Sequence, residues 1–420
     1  MKNLFKYTLF LAVFSIFPFL SFSQNNVVNV PHIRTLQVKA NDNWIAPPII
    51  YLGTNDFVEI SFDELTHEYH RYTYQIQHCN ADWTVDDLFE TDYLAGFNNN
   101  VIDDFQNSLN TTMLYTHYRF RLPNPQAQLL ISGNYLVSVY GEDDNETPVL
   151  QACFSVVSPQ VGISANVTGN TDIDTNNSHQ QVSFNVNYGG MNVVSPQAEF
   201  KARVYQNRRA DNCVSDIEPS YLLPNQLQYV HNRKLIFDAG NEYRRFEIVN
   251  VNDVSPGVEQ IRFFDPYYHA VLLPDYPRIN YSYDQDQDGL YYIRYDMAQD
   301  NDTEADYLFV HFTLNYEEPL PNGEFYLNGE FTYDRFSNDF AMTYNEKDRA
   351  YESVQLLKQG SYNWLYLFVP EGSTQGETAQ AAGNFYETEN EYLIYIYHKG
   401  MGDRYDKLVG IKSIRYTQDL

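Results

Sequence analysis

The chain has 420 residues, 43% of them hydrophobic, and sets 55 acidic against 27 basic side chains for a formal charge of −28 at neutral pH. That balance repels the phosphates of nucleic acid and anionic membrane surfaces, and so argues against both as partners. The apolar share is enough to fill several cores, which excludes disorder, and 37 Tyr with 27 Phe against six Met favour the pleated, half-buried surfaces of sheet over helix.

Lys2 and Lys6 precede an uncharged apolar run from Tyr7 to about Leu20, followed by Ser21-Phe22-Ser23. This is the pattern of a secretory signal peptide over residues 1–23. The run is short for a membrane span, and no later segment approaches one. No Cys lies near the expected cleavage point around Ser23-Gln24, so no N-terminal lipid anchor is expected. The mature chain is expected to be exported and soluble, and if it stays at a membrane it does so through a protein partner.

From Val38 to Val157 the chain repeats short runs of period two, among them 57–62, 72–78, 117–122 and 135–140. Tyr72, Tyr74, Ile76 and His78 share one face while Thr73, Gln75 and Gln77 share the other, as in a strand with one solvated side. Gly53, Gly133, Asn98-Asn99-Asn100 and Gly141-Glu142-Asp143-Asp144-Asn145 supply turns. These features predict an N-terminal β-sandwich over residues 28–157. Ser158-Pro159 breaks the pattern, and further strand-like runs to Tyr295 predict a middle sandwich over 158–299. The polar stretch Ala298 to Glu304 reads as the second boundary or as a hairpin inside one larger domain. Beyond it, runs such as 305–314, 323–329, 360–369 and 391–398 predict a C-terminal sandwich over 300–420. The expected fold is therefore all-β: three consecutive immunoglobulin-like or early-set β-sandwiches after a signal peptide. The one helical expectation is a short helix within Trp83 to Leu94.

Chemistry-bearing patterns are sparse. Cys79, Cys153 and Cys213 show no metal or redox spacing; buried free thiols are expected, with a Cys79–Cys153 bridge open in an oxidising compartment. Nucleophile elbows, phosphate loops and zinc-protease helices are absent from the sequence. His67 and His70 sit on a polar turn at a poor metal spacing, and His78, on the inward face of its strand, is expected to be a hydrogen-bonded core residue. Asp284-Gln285-Asp286-Gln287-Asp288-Gly289 opens like a calcium loop, but Tyr295 stands where the closing Glu is needed, so an acidic turn is expected. No enzyme, catalytic residue, cofactor or metal is expected. The loop from Asp265 to Asp288 is long for a sandwich and carries Tyr267, Tyr268, His269, Leu272, Leu273 and Tyr276. Long structured loops are often functional and tyrosines are enriched at interfaces. Tyr267, Tyr268, His269 and Tyr276 are therefore the candidate partner-binding residues, with a cover over the junction between the second and third domains as the alternative.

Several strings together resemble the type IX secretion system plug family of Bacteroidota. They are His78-Cys79-Asn80-Ala81-Asp82-Trp83, Tyr93-Leu94-Ala95-Gly96-Phe97, His117 to Asn124, Ser132-Gly133-Asn134-Tyr135, Phe263-Phe264-Asp265-Pro266-Tyr267, Gly289-Leu290-Tyr291-Tyr292, Gly323 to Phe331 and Gly360-Ser361-Tyr362-Asn363-Trp364. The likeness runs from about Ile33 to Tyr416. It implies a periplasmic protein that docks under the outer-membrane translocon barrel and closes its periplasmic mouth while no cargo is exported. Trp83, Tyr93 and Phe97 are expected to pack in the core or turns. The alternative function is a secreted glycan-binding β-sandwich protein, suggested by Trp364 and the string from Tyr326 to Phe331, and it requires exposed aromatic rings.

Overall fold

A computed structural model describes residues 26–142 and 146–417. The expected signal peptide and part of the turn at Gly141 to Asn145 lie outside the described residues. The alternating runs of Tyr, Val, Ile and Phe form strands, and the helices among the described residues are single turns such as Glu90–Tyr93.

In the first sandwich, one sheet orders Val27–Val28, Leu150–Val157, Gly133–Gly141, Tyr72–Cys79 and Asn100–Val101, with Ile49–Tyr51 parallel to Leu150–Val157. The facing sheet orders Ile33–Ala40, Val58–Glu64, Thr116–Leu122 and Asp104–Asn107. Tyr72, Tyr74, Ile76 and His78 are buried and Thr73, Gln75 and Gln77 are not, as the period-two pattern requires. Stacked rings, Phe62 on Tyr118 and Tyr135 on Phe154, fill the space between the sheets.

The division of the rest differs from the expected 158–299 and 300–420. The second sandwich begins with Gly162–Thr168, His179–Asn187, Gln226–Tyr229 and Tyr221–Leu223 in one sheet. Its facing sheet places Glu391–His398 between Phe200–Gln206 and Lys407–Arg415. The third sandwich is thus inserted into the second. Its sheets are built on Gly360–Pro370, paired with Arg244–Ile248, Tyr291–Ile293 and Gly323–Asn328, and on the order Val258–Phe264, Tyr267–Leu272, Tyr307–Asn315, Ala350–Lys358, Thr343–Asn345. The physical reason is burial: all of Glu391–His398 except Glu391 is buried, so this strand needs neighbours on both edges and cover on both faces. The expected boundary at Asp300 is instead the N-cap of the helix Asn301–Glu304, where its carboxylate accepts from the Asp302 amide.

Each sandwich touches both others. The Ala81 amide donates to Asp406 at 3.0 Å and Arg203 donates to the Ala81 carbonyl at 2.7 Å, joining first and second. Arg209 donates to the Gly376 carbonyl at 3.0 Å, joining second and third. Thr112 donates to Asp306 through its amide at 2.8 Å, and Tyr307 donates to Asp63 at 2.7 Å, joining first and third. Buried polar bridges of this kind fix relative orientation, because every group left unpaired there would carry its full desolvation cost. Among the described residues no helix is long and apolar enough to cross a membrane.

Candidate partner-binding surface

The long loop expected over Asp265 to Asp288 is partly a strand. Tyr267–Leu272 pairs antiparallel with Val258–Phe264 and parallel with Tyr307–Asn315. Asp265-Pro266 forms only a tight turn between strands, and the proline that reads as loop in the sequence marks a strand start.

Alternation along Tyr267–Leu272 sends the candidate residues to different places. Tyr267, His269 and Val271 face away from the core of the third sandwich, and register sets His269 beside Phe309 and Arg262. Phe264, His269 and Phe309 form a continuous row of rings with centroid separations of 5.4 and 5.0 Å. His269 Nδ1 lies 2.9 Å from His311 Nε2, a contact that needs one ring to donate and the other to accept. Burial, then the neighbouring His269, hold the His311 imidazole below its usual range. The row ends under the first sandwich, where Tyr267 packs against the cluster of Met113, Tyr115 and Tyr307. Tyr267 therefore belongs to a junction between the first and third sandwiches, not the second and third. Tyr268 points the other way, onto the core of its own sandwich, with its ring against Phe263.

Tyr276 lies on the remaining loop and is 66% exposed. The loop is stapled from beneath: Tyr366 donates to Asp275 at 2.8 Å, Arg278 to the Glu242 carbonyl at 2.6 Å, and Tyr281 to the Glu242 carboxylate at 2.7 Å. Between these inward anchors, Leu273, Tyr276, Ile279 and Tyr283 project into solvent. A fixed backbone carrying exposed apolar side chains suits a docking surface, because little conformational entropy remains to be lost on binding. Of the four candidates, Tyr276 is exposed, and Tyr267, Tyr268 and His269 are half-buried. Phe264, Phe309 and His311 join this surface without standing among the candidates from the sequence, although the string Phe263-Phe264-Asp265 is a readable sign of an aromatic hairpin.

The other chemistry-bearing residues are occupied. His67 meets Ser108 at 2.9 Å and His70 meets Glu64 at 2.6 Å, so they do not converge. His78 is buried between Asp86 and the Ser132 carbonyl, as expected of a core histidine. In the acidic turn, Asp284 pairs with Arg245, Asp286 accepts from the Tyr243 and Asp288 amides, and Asp288 pairs with Arg415. Among the described residues no group of three or more His, Cys, Asp or Glu could hold a metal ion. All three cysteines are free thiols; the strand Gly133–Gly141 separates Cys79 from Cys153, and burial pushes the Cys79 thiol up to about 12. Trp83 and Tyr93 are buried as expected, but Phe97 is 75% exposed, because the Gly96 backbone turns it outward at the end of a two-stranded ladder.

These features define an all-β protein of three mutually braced sandwiches with an aromatic surface on the inserted one. Residues 33–158 match the family model described as type 9 secretion system plug protein 1st domain, so the first sandwich carries the first domain of the type IX secretion plug family. The chain is also similar, at 49% identity and a TM-score of 0.92, to the crystal structure of a hypothetical protein from Parabacteroides merdae ATCC 43184, over 94% of this chain and 100% of that one. No curated protein matches the chain.

Proposed function

We propose that this chain is the periplasmic plug that binds the outer-membrane translocon barrel of the type IX secretion system and closes its periplasmic mouth while no cargo is exported. The observation that carries this reading is the plug-family match over the first sandwich. A pore wide enough for folded cargo leaks small solutes unless it is sealed, and the direct bridges among three sandwiches suit a body that must keep its shape under a barrel. The chain acts as a seal and turns over no substrate; it stays at the outer membrane through the barrel. The glycan-binding alternative loses its motivating ring, since Trp364 is 3% exposed and packs on Phe246 and Phe312.

The test is a tagged chromosomal copy purified from native membranes, together with a deletion strain. The barrel should co-purify, and the deletion should admit large antibiotics that the intact envelope excludes. A tagged chain that retrieves no barrel, with unchanged permeability in the deletion strain, overturns the reading. Reproducible glycan or peptide hydrolysis, lost on mutating one carboxylate or histidine, would overturn the non-enzymatic part.

A further inference from the structure

Between the first and third sandwiches runs a groove of about 530 Å³. One wall is the chain near Val28 to Thr35; the other is five consecutive residues, Val354 to Lys358. Successive side chains of a strand point to opposite faces, so five in a row meet one groove only if the strand's edge borders it. Ala350–Lys358 pairs along its whole length with Tyr307–Asn315, but on its other side only residues 350–352 are paired, with Thr343–Asn345. Among the described residues no strand pairs with residues 353–358 on that side. Such an edge is a template for an added strand, and five residues of it run about 16 Å.

The groove also carries unusual charge for a chain of −28. Arg34 and Arg335 both line it, and Arg34 Nε is buried without a hydrogen-bond partner. Neither guanidinium forms an ion pair among the described residues. Asp339, at the rim, is exposed and pairs with neither, and Lys358 is committed to Asp63. Phe309, from the aromatic row, and Phe340 supply apolar seats in the same groove. An open strand edge, two uncompensated guanidiniums and apolar seats complement an extended segment that bears a carboxylate.

We propose that this groove takes an extended acidic segment of the translocon as a strand added along residues 353–358, with a carboxylate of that segment held by Arg34 and Arg335. The identity of the partner rests on the plug reading above. The test uses the full mature chain and detergent-purified barrel. Amide exchange at residues 353–358 should slow at least tenfold in the complex, and Arg34→Glu with Arg335→Glu should weaken capture at least tenfold without moving the melting temperature. Arg34→Gln with Arg335→Gln serves if charge reversal disturbs folding, with the same expected direction. A complex that forms equally well with either pair of variants, with exchange unchanged at 353–358, overturns the groove proposal and leaves the plug reading standing. If the wild-type chain captures no barrel, the plug reading fails and takes this occupant with it. Protection of 353–358 in the chain alone that rises with chain concentration would assign the groove to a second copy and overturn the proposal.

Discussion

Lys358 of the third sandwich donates to Asp63 of the first across 2.7 Å, with both side chains 1% exposed. Asp63 also meets His117 at 2.7 Å, and Lys358 sits 4.1 Å from the Tyr115 ring centroid. Burial alone would raise the Asp63 carboxyl, but Lys358 and then His117 outweigh it and hold that carboxyl below its ordinary range. Removing one partner leaves an uncompensated buried charge, so Lys358→Ala should cost about 3–5 kcal/mol in urea unfolding. A loss under about 1 kcal/mol would place the strength of this junction elsewhere. Because the folded pKa is depressed, the stability linked to Asp63 is fully present above the unfolded value of about 3.9 and is lost as pH falls through the folded value.

Glu242 carries the opposite sign. The residue is 2% exposed, and burial first, then Glu389 and Asp288, push its carboxyl up to about 7 against the pull of Tyr281 and the Glu389 amide. Asp286 and Asp288 beside it are likewise raised to about 7, chiefly by burial, while Arg415 opposes the rise. A raised acid favours folding below its unfolded pKa and loses that contribution as pH rises to the folded one, here between about 4 and 7. The melting temperature should therefore fall across that interval. Glu242→Gln should flatten the fall by an amount on the order of 2 kcal/mol; an unchanged pH profile would show that Glu242 is ionised throughout.

Period two made individual strands legible. Tyr72–Cys79, Thr116–Leu122 and Gly360–Pro370 lie where alternating or continuous apolar runs placed them. Pairing partners were not legible, because nothing local in Glu391–His398 says that it closes a sheet begun at Phe200. The candidate surface was readable only in part. Tyr276 is open, as a tyrosine among prolines suggests, whereas Tyr267 is half-buried against Met113 and Tyr115, which are far from it in sequence. The groove with Arg34 and Arg335 left no sequence trace, since its walls come from opposite parts of the chain.

The motif Ser132-Gly133-Asn134-Tyr135 has a steric basis that can be tested. Gly133 has φ +147°, and a Cβ added there would lie 2.2 Å from His78 Nε2. Gly133→Ala should therefore destabilise the first sandwich by more than about 3 kcal/mol, combining backbone strain with displacement of a buried ring. Adding His78→Ala should recover the steric share only. If Gly133→Ala folds with wild-type stability, the close approach of His78 is not a constraint on that position.

The last prediction separates structural aromatics from docking ones. Tyr267 is half-buried against Met113, Tyr115 and Tyr307, and truncating a half-buried ring costs about 1.5 kcal/mol. Tyr267→Ala should accordingly lower stability and weaken barrel capture together. Phe264 and Tyr276 are 56% and 66% exposed, so Phe264→Ala with Tyr276→Ala should keep stability within about 0.5 kcal/mol of wild type. If the aromatic surface meets the barrel, the second pair should nonetheless lower capture at least tenfold, because exposed rings that become buried in a complex are frequent hot spots. Capture by the Phe264 and Tyr276 variant at wild-type strength would remove this surface from the interface. Wild-type stability in Tyr267→Ala would likewise show that its contacts with the first sandwich carry little energy, and the junction would then depend on the buried bridges at Asp63 and Asp306.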